Sequence, residues 1–199
     1  MAATAVRYLR SVGVPGGTEV YEALPGPALR AVAEDERAPV GAGEFRRVLG
    51  HFASGVTVVT AVDDDGPAGF ACQSFASLSL EPPLVVFMVG RTSTTWPRIS
   101  RAGRFCLNVL GVEQGGLCRG FAVSGADKFA GVAYRPAPVT GAPLLDGVAA
   151  WIDCTVQAVH TGGDHLIVVG RVEALDADEE CAPLLFHRGR FGRLGGLDV

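Results

Sequence analysis

Charged side chains are scarce in this 199-residue sequence, and neither sign dominates: 19% of the residues are charged and the formal net charge is −4. Binding to nucleic acid or to an anionic membrane needs a basic face, so neither function is supported. The sequence also lacks an apolar run approaching the roughly 20 residues that span a bilayer. Arg7 and Arg10 are not followed by the apolar segment of a signal peptide, and we therefore expect a cytoplasmic protein.

Cysteines are few and show no functional spacing. There are five, an odd number, with no CxxC pair and no histidine at a finger-like offset, so we expect reduced thiols, no disulfide framework and no metal site. The sequence also lacks GxGxxG after a predicted strand, GxxxxGK followed by Ser or Thr, GxSxG and HExxH. These absences remove the commonest dinucleotide, P-loop, hydrolase and metalloprotease patterns.

Apolar residues are abundant at 48%, and 27 glycines and 12 prolines punctuate the chain. This apolar content excludes a wholly disordered protein, and the length suits one domain plus an appendage. Residues 1–42 hold no helical or strand period and are predicted to be a partly disordered tail or linker, with a short helix near residues 28–33. The alternative is an arm that packs on a partner subunit. Residues 43–199 are predicted to form one domain.

Within that domain the patterns predict short strands joined by turns. Phe45, Val48, Leu49 and Phe52 recur at helical spacing and predict an amphipathic helix. Further helices are predicted at residues 92–101, with Thr94 or Thr95 as the cap, and at 113–121, with a helix or turn at 179–186. Strands are predicted at residues 56–62, 68–72, 84–89, 104–110, 149–160 and 165–175, with residues 161–164 as a hairpin loop. Many short strands with few helices predict an all-β barrel or sandwich.

Residues 69–80 form the least ordinary segment. They place the polar side chains of Gln73, Ser74, Ser77 and Ser79 among small and apolar residues. Neutral donors and acceptors in an apolar wall suit a planar heterocycle that needs hydrogen bonds but no counter-charge, and backbone amides can reach the same ring. The alternative is a strand-to-strand crossing rich in serine turns.

Two segments are candidates for binding a phosphate. Residues 91–96 place hydroxyl groups before a predicted helix, with Arg91 and Arg98 nearby to add positive charge. The alternative there is ordinary N-capping by a hydroxyl. Lys128 could also meet a phosphate while Phe129 covers an apolar ring edge; the alternative is a solvated lysine in a loop.

Two hairpin segments are candidates for a second ligand. His165 begins a predicted strand after Gly163 and Asp164, so its imidazole could line a pocket, although a turn alone explains the glycine and aspartate. Residues 186–191 place a glycine between two arginines and aromatic side chains, which can offer guanidinium and backbone groups to an anion. The alternative is a basic loop near the C-terminus.

Seven ordered blocks of this sequence resemble the short-chain flavin reductases, which have the flavin-reductase-like, FMN-binding split barrel and serve as the reductase component of two-component flavin-dependent monooxygenases. The resemblance runs from Phe45 to about Phe191. The blocks are residues 45–52, 55–60, 69–79, 82–85, 105–110, 127–129 and 163–165.

This resemblance implies a mainly β fold, a Greek-key split β-barrel with a few short helices, and a homodimer with flavin sites near the subunit interface. It also implies site residues. His165 is the implied catalytic residue and would orient the nicotinamide; the alternative is that it helps to deliver a proton to reduced flavin. The isoalloxazine and ribityl chain would be held by Gly69, Phe70, Ala71, Cys72, Gln73, Ser74 and Ser77. The phosphate region would be held by Ser93, Thr94, Thr95 and Trp96, with Lys128 and Phe129 nearby. The nicotinamide nucleotide would be held by His165, His187, Arg188, Gly189 and Arg190; the family often has Tyr at the position of His187.

The implied activity is an NAD(P)H:flavin oxidoreductase that supplies reduced flavin to a separate monooxygenase. By resemblance, the form of the motif at residues 69–74 favours FAD over FMN and NADH over NADPH. Hydride transfer between two cofactors needs stacked rings rather than an acid–base pair, which agrees with the lack of a catalytic dyad. The alternative is a non-catalytic carrier or stress protein of the same fold that binds flavin, haem or pyridoxal phosphate.

Overall fold

The computed structural model describes residues 40–125 and 127–195. Most of the predicted tail, and the short helix predicted near residues 28–33, lie outside the described residues. The boundary predicted after residue 42 stays a prediction.

Three helices lie in the described part of the chain: α1 (Ala42–Leu49), α2 (Trp96–Ala102) and α3 (Gly115–Ala122). Each confirms a predicted helix, but α2 begins four residues later than predicted. Thr95, one of the two predicted cap residues, occupies the N-cap position, but its side chain makes no capping hydrogen bond. Instead the Ser93 hydroxyl accepts the Trp96 backbone N–H at 3.1 Å. The helix ends at Gly103, whose left-handed φ of 64° favours glycine.

The remaining elements are strands, which confirms the mainly β prediction. Along the chain they are β1 (Ser54–Gly55), β2 (Thr57–Asp63), β3 (Gly66–Cys72), β4 (Ala76–Leu80), β5 (Pro83–Gly90), β6 (Arg104–Val109), β7 (Tyr134–Pro136), β8 (Pro143–Leu145), β9 (Ala150–Gly162), β10 (His165–Ala177), β11 (Leu185–His187) and β12 (Arg190–Gly192). The hairpin between β9 and β10 turns on Gly163 and Asp164 alone, so it is tighter than the predicted loop at 161–164.

Seven of these strands form one antiparallel sheet in the order β3-β2-β6-β9-β10-β5-β4. Its outer strands, β3 and β4, are consecutive in the chain and separated only by residues 73–75. From Cys72 to Ala76 the chain spans about 14 Å at most, so the ends of these two outer strands must lie close together. The sheet is therefore rolled into a barrel, and residues 73–75 lie on its seam.

Several short elements were not predicted. Strand β4 is largely exposed and carries alternating serines, which weakens its apolar signal. The β7–β8 hairpin and the small sheet β1-β11-β12 consist of strands of two or three residues, too short for a period to register. The helix alternative at residues 179–186 is wrong: a turn occupies its start and β11 begins at Leu185. The β11–β12 turn needs positive φ at Arg188 (50°) and Gly189 (79°), which an arginine seldom adopts.

Two apolar clusters stabilise the barrel. One fills the interior around Phe87 and Phe105, whose ring centroids lie 5.3 Å apart. Gly170 makes room for this pair, because a Cβ at that position would overlap Phe105 Cζ. The other cluster, around Leu110 and Phe121, packs α3 and the β7–β8 hairpin on the outside of the sheet.

Candidate functional site

A cavity of about 980 Å³ opens at the barrel seam. It is lined by the end of β3, the seam turn (residues 73–75), the end of β5, α3 and the β11–β12 hairpin. Nine predicted site residues meet there: Phe70, Ala71, Cys72, Gln73, Ser74, Ser93, His165, Gly189 and Arg190. Residues from four separately predicted segments therefore line one cavity.

The charge of this first cavity is positive. Arg119 and Arg190 line it, and no carboxylate occurs among its described lining residues. Arg119 also lies over the Phe191 ring, with its guanidinium carbon 5.5 Å from the ring centroid. A cavity of this size, with an apolar wall and a few polar groups, suits a flat organic ligand that carries negative charge at one end. Sequence reasoning missed Arg119 because nothing in residues 113–121 distinguishes it from a solvated helix residue.

A second cavity, of about 650 Å³, lies beside the first along β3. It collects five of the predicted residues: Gly69, Thr94, Thr95, Lys128 and Phe129. Ser93 and Phe70 face the first cavity while their chain neighbours Thr94 and Gly69 face the second. The predicted ring-binding and phosphate-binding segments thus each contribute to both cavities.

Lys128 binds protein backbone in the second cavity. Its Nζ donates to the carbonyls of Gly69 and Phe121, each at 3.1 Å, and burial lowers the pKa of this ammonium group. Phe121 belongs to the last turn of α3, where carbonyls lack helical partners and a cation is favourable. Lys128 therefore joins β3 to α3 and retains one N–H for a further acceptor.

Arg98, predicted to add charge at the phosphate site, is held by a carboxylate. Its Nε donates to Asp63 Oδ2 at 3.0 Å and its Nη2 donates to the Gly66 carbonyl at 2.9 Å. Arg101 reaches the same carboxylate at 3.2 Å. The hydrogen bonds from Arg98 chiefly hold the pKa of Asp63 at about 2. Asp63 therefore offsets much of the charge that Arg98 brings to the second cavity.

His165 stands at the start of β10, opposite Gly90 at the end of β5. Its Nδ1 lies 2.8 Å from Asp164 Oδ1, and this hydrogen bond lowers the pKa of the Asp164 carboxyl group. A Cβ built on Gly90 would lie 4.0 Å from His165 Nε2, so Nε2 lies over the end of β5 at the cavity. With Nδ1 bound to a carboxylate, Nε2 is the ring nitrogen that is available to a ligand.

Four predicted residues lie away from both cavities. Trp96 is only 8% exposed and packs edge-on against Phe87 in the barrel interior, so it reaches neither cavity. Ser77 lies on β4, whose exposed face is outside both cavities. His187 and Arg188 lie toward α1: the His187 ring is edge-on to His51 at 6.3 Å, and the Arg188 N–H donates to the Gly50 carbonyl at 3.0 Å.

The thiols are neither paired nor activated. All five cysteines are free, and burial raises the pKa of Cys72 and Cys118 in the first cavity. Burial also raises the pKa of Cys106 to about 12. A thiol with a raised pKa is a poor nucleophile and a poor metal ligand, so neither Cys72 nor Cys118 is suited to a covalent or metal-binding role in the first cavity.

No group of three or more His, Cys, Asp or Glu side chains in residues 40–125 and 127–195 is placed to bind a metal ion. Nor is any helix in that part of the chain long and apolar enough to cross a membrane.

A rolled antiparallel barrel with a positively charged cavity at its seam defines a split-barrel protein that binds a flat cofactor. The chain belongs to the flavin reductase family: the family model described as "Flavin reductase like domain" matches residues 49–195.

The relatives agree with this assignment. The reductase subunit HsaB of a flavin-dependent monooxygenase from Rhodococcus jostii is 52% identical over 147 residues, which cover 74% of this chain and 75% of that protein. A flavin reductase from Pseudomonas putida is 48% identical over 164 residues, 82% of this chain and 96% of that protein.

Solved structures agree as well. A nitrilotriacetate monooxygenase component B homolog from Mycobacterium thermoresistibile superposes with a TM-score of 0.74 at 48% identity, covering 77% of this chain and 86% of that one. The NADH:FAD oxidoreductase SgcE6 of Streptomyces globisporus, in complex with NAD and FAD fragments, gives a TM-score of 0.75 at 35% identity, covering 79% and 94%.

Proposed function

We propose that this protein is an NAD(P)H-dependent flavin reductase that passes reduced flavin to a partner monooxygenase. The observation that supports it most strongly is the seam cavity: it is large, walled by apolar and neutral polar groups, positive in charge, and has His165 at one end. The relatives named as reductase subunits of monooxygenases support the same activity and partner. Their names do not favour the alternative of a non-catalytic flavin or haem carrier.

Flavin and nicotinamide would supply the hydride-transfer chemistry when bound, and this chemistry needs no catalytic acid or base from the protein. The protein's contribution is to hold two ring systems in contact and exclude water, which is a proximity effect. The residues around the seam turn fit the isoalloxazine, because they offer backbone amides and neutral side chains. The second cavity offers Thr94, Thr95 and Lys128 to the phosphate-bearing end, although the carboxylates of Asp65 and Asp127 also line it.

The nicotinamide nucleotide is assigned to the other end of the first cavity. Asp164 holds Nδ1 of His165, which leaves Nε2 as a partner for a carboxamide. Gly189 and Arg190 add backbone and guanidinium groups to the lining of the same cavity, which suits the phosphates of a dinucleotide. His187 and Arg188, turned toward α1, are proposed to act by holding this hairpin in place.

Flavin and nucleotide preference are proposed as FAD and NADH. Relatives named NADH:FMN oxidoreductase and NADH:FAD oxidoreductase support NADH for both flavins. The protein is further proposed to act as a cytoplasmic homodimer with residues 1–42 as a tail. Exposed apolar side chains on α1 and in the turn after it support the dimer, since Phe45 is 57% and Phe52 80% exposed in the single chain.

Anaerobic stopped-flow absorbance tests the activity. Mixing the protein and FAD with NADH should bleach the flavin absorbance near 450 nm, and FMN and NADPH serve as the comparisons. If no combination of flavin and nucleotide bleaches, the protein is not a reductase. A chain that lacks residues 1–40 should retain this reaction and its dimer by light scattering; loss of either makes the segment part of the interface.

A further inference from the structure

The seam turn, residues 73–75, is joined to β5 by one side chain. The Ser74 hydroxyl accepts the Met88 backbone N–H and donates to the Met88 backbone carbonyl, both at 2.9 Å. Strand β4 pairs with β5 in a register that sets Ala76 opposite Val86, so a continued ladder would set residue 74 opposite residue 88. A single side-chain oxygen therefore replaces both backbone hydrogen bonds that a paired residue 74 would make to Met88.

Because the Ser74 side chain makes these two hydrogen bonds, the backbone groups of the seam turn are left outside the strand pairing. Strand β3 ends at Cys72 and β4 begins at Ala76. The N–H groups of Gln73 and Phe75 make no hydrogen bond to any other residue in the described part of the chain, and the N–H of Ser74 is directed only at Cys72 Sγ, a weak acceptor. Gln73 and Ser74 line the first cavity. Ordinary strand pairing would have turned the backbone groups of residue 74 toward β5 and away from a ligand.

The Ser74 hydroxyl is itself occupied. A serine hydroxyl has one proton, and here that proton lies toward the Met88 carbonyl. Cys72 Sγ lies 3.2 Å from the same oxygen and fills part of its remaining acceptor capacity. In this arrangement the hydroxyl has no proton left to donate to a bound ring.

We propose that Ser74 is a positioning residue that replaces one rung of the β4–β5 ladder at Met88 and thereby presents the backbone N–H groups of residues 73–75 to the flavin. The proposal rests on the proposed function, since it takes the flavin as the ligand of the first cavity. Met88 lies two residues before Gly90, the register partner of His165. The same pair of hydrogen bonds therefore sets the distance between the seam turn and the nicotinamide end.

Amide hydrogen exchange of the wild-type protein and three variants tests this. In the flavin-free wild type we expect slow exchange of the Met88 amide and rapid exchange of the amides of residues 73–75. Adding FMN should slow the exchange at residues 73–75. Ser74→Ala should speed exchange of the Met88 amide at least tenfold and weaken FMN binding, measured by fluorescence quenching, about tenfold. Ser74→Thr keeps the hydroxyl and should restore both. Ser100→Ala, in α2 and away from both cavities, is the matched control.

Two results overturn the proposal. The first is a Met88 amide in Ser74→Ala that exchanges as slowly as in the wild type. The second is FMN binding to the wild type without protection of residues 73–75, which means that the hydroxyl or other groups contact the flavin instead; this test needs no variant to fold. If the wild type binds no flavin at all, the proposed function fails, and Met88 exchange in the flavin-free protein still decides whether the ladder rung exists.

Discussion

Replacing Gly69 by alanine adds a methyl group where two cavities and the core meet. A Cβ at this position would lie 2.9 Å from Phe121 Cε1 and 3.0 Å from the Val59 carbonyl oxygen. The carbonyl belongs to the β2–β3 ladder and has little freedom to move. The Phe121 ring must shift instead, although it is only 1% exposed and packs edge-on against Phe129 at 5.1 Å.

The expected cost is that of overpacking a closed core, about 1–3 kcal/mol of unfolding free energy. For a domain of this size that corresponds to roughly 2–4 °C in Tm for each kcal/mol. A second effect should reach the ligand, because Phe129 lines the second cavity and the carbonyl of Gly69 accepts from Lys128. We therefore expect FMN, which carries a phosphate, to lose more affinity than riboflavin, which does not.

Urea unfolding and flavin fluorescence titration measure the two effects. Gly120→Ala is the control, because it adds the same methyl group in α3 with nothing within 4 Å, and it should stabilise the helix by about 0.5–1 kcal/mol. If Gly69→Ala unfolds at the wild-type urea concentration, the close approach to Phe121 imposes no constraint. Equal losses of FMN and riboflavin affinity would contradict the assignment of the phosphate end to the second cavity.

Three further predictions follow from single contacts. His165→Ala should raise the KM for NADH more than the Kd for flavin in steady-state and titration assays; an equal rise in both would place His165 at the flavin. Asp63 has a folded pKa of about 2 against an ordinary 3.8, so its ion pairs stabilise the fold above about pH 4 and are lost as the pH falls toward 2. Asp63→Asn should therefore make the free energy of unfolding depend less on pH between about pH 4 and pH 2. An unchanged pH dependence would refute this. Lys128→Met leaves two carbonyls without their charged donor and should cost about 1–3 kcal/mol in urea unfolding; wild-type stability would show that water replaces the ammonium group.

Neighbouring residues in the chain line different cavities. Ser93 faces one cavity and caps α2, while the next residue, Thr94, faces the other cavity. Gly69 and Phe70 divide in the same way, because residues 67–69 of β3 line the second cavity and residues 70–72 line the first. A ligand that spans both cavities therefore meets neighbouring residues of one strand and one loop at its two ends.

The local patterns of the sequence determined the secondary structure of the longer elements. The β-branched run of β2 and the stripe of α1 depend on contacts within a few residues, and both were predicted. The family resemblance, which rests on short blocks in a fixed order, predicted the split barrel and the set of residues around the cavity. Strands of two or three residues were missed because they are too short to carry a period.

Only the tertiary structure decided what the individual side chains do. Trp96 belongs to a motif predicted to bind phosphate, yet the barrel interior takes its ring because burying a large aromatic side chain is favourable. Arg98 was predicted to bind an anion, but Asp63, 35 residues earlier, holds it. Ser74 was predicted to contact a ring, but Met88 engages its hydroxyl once the sheet rolls and its edges meet. In each case the partner is distant in the sequence, and only the register and closure of the sheet bring the pair together.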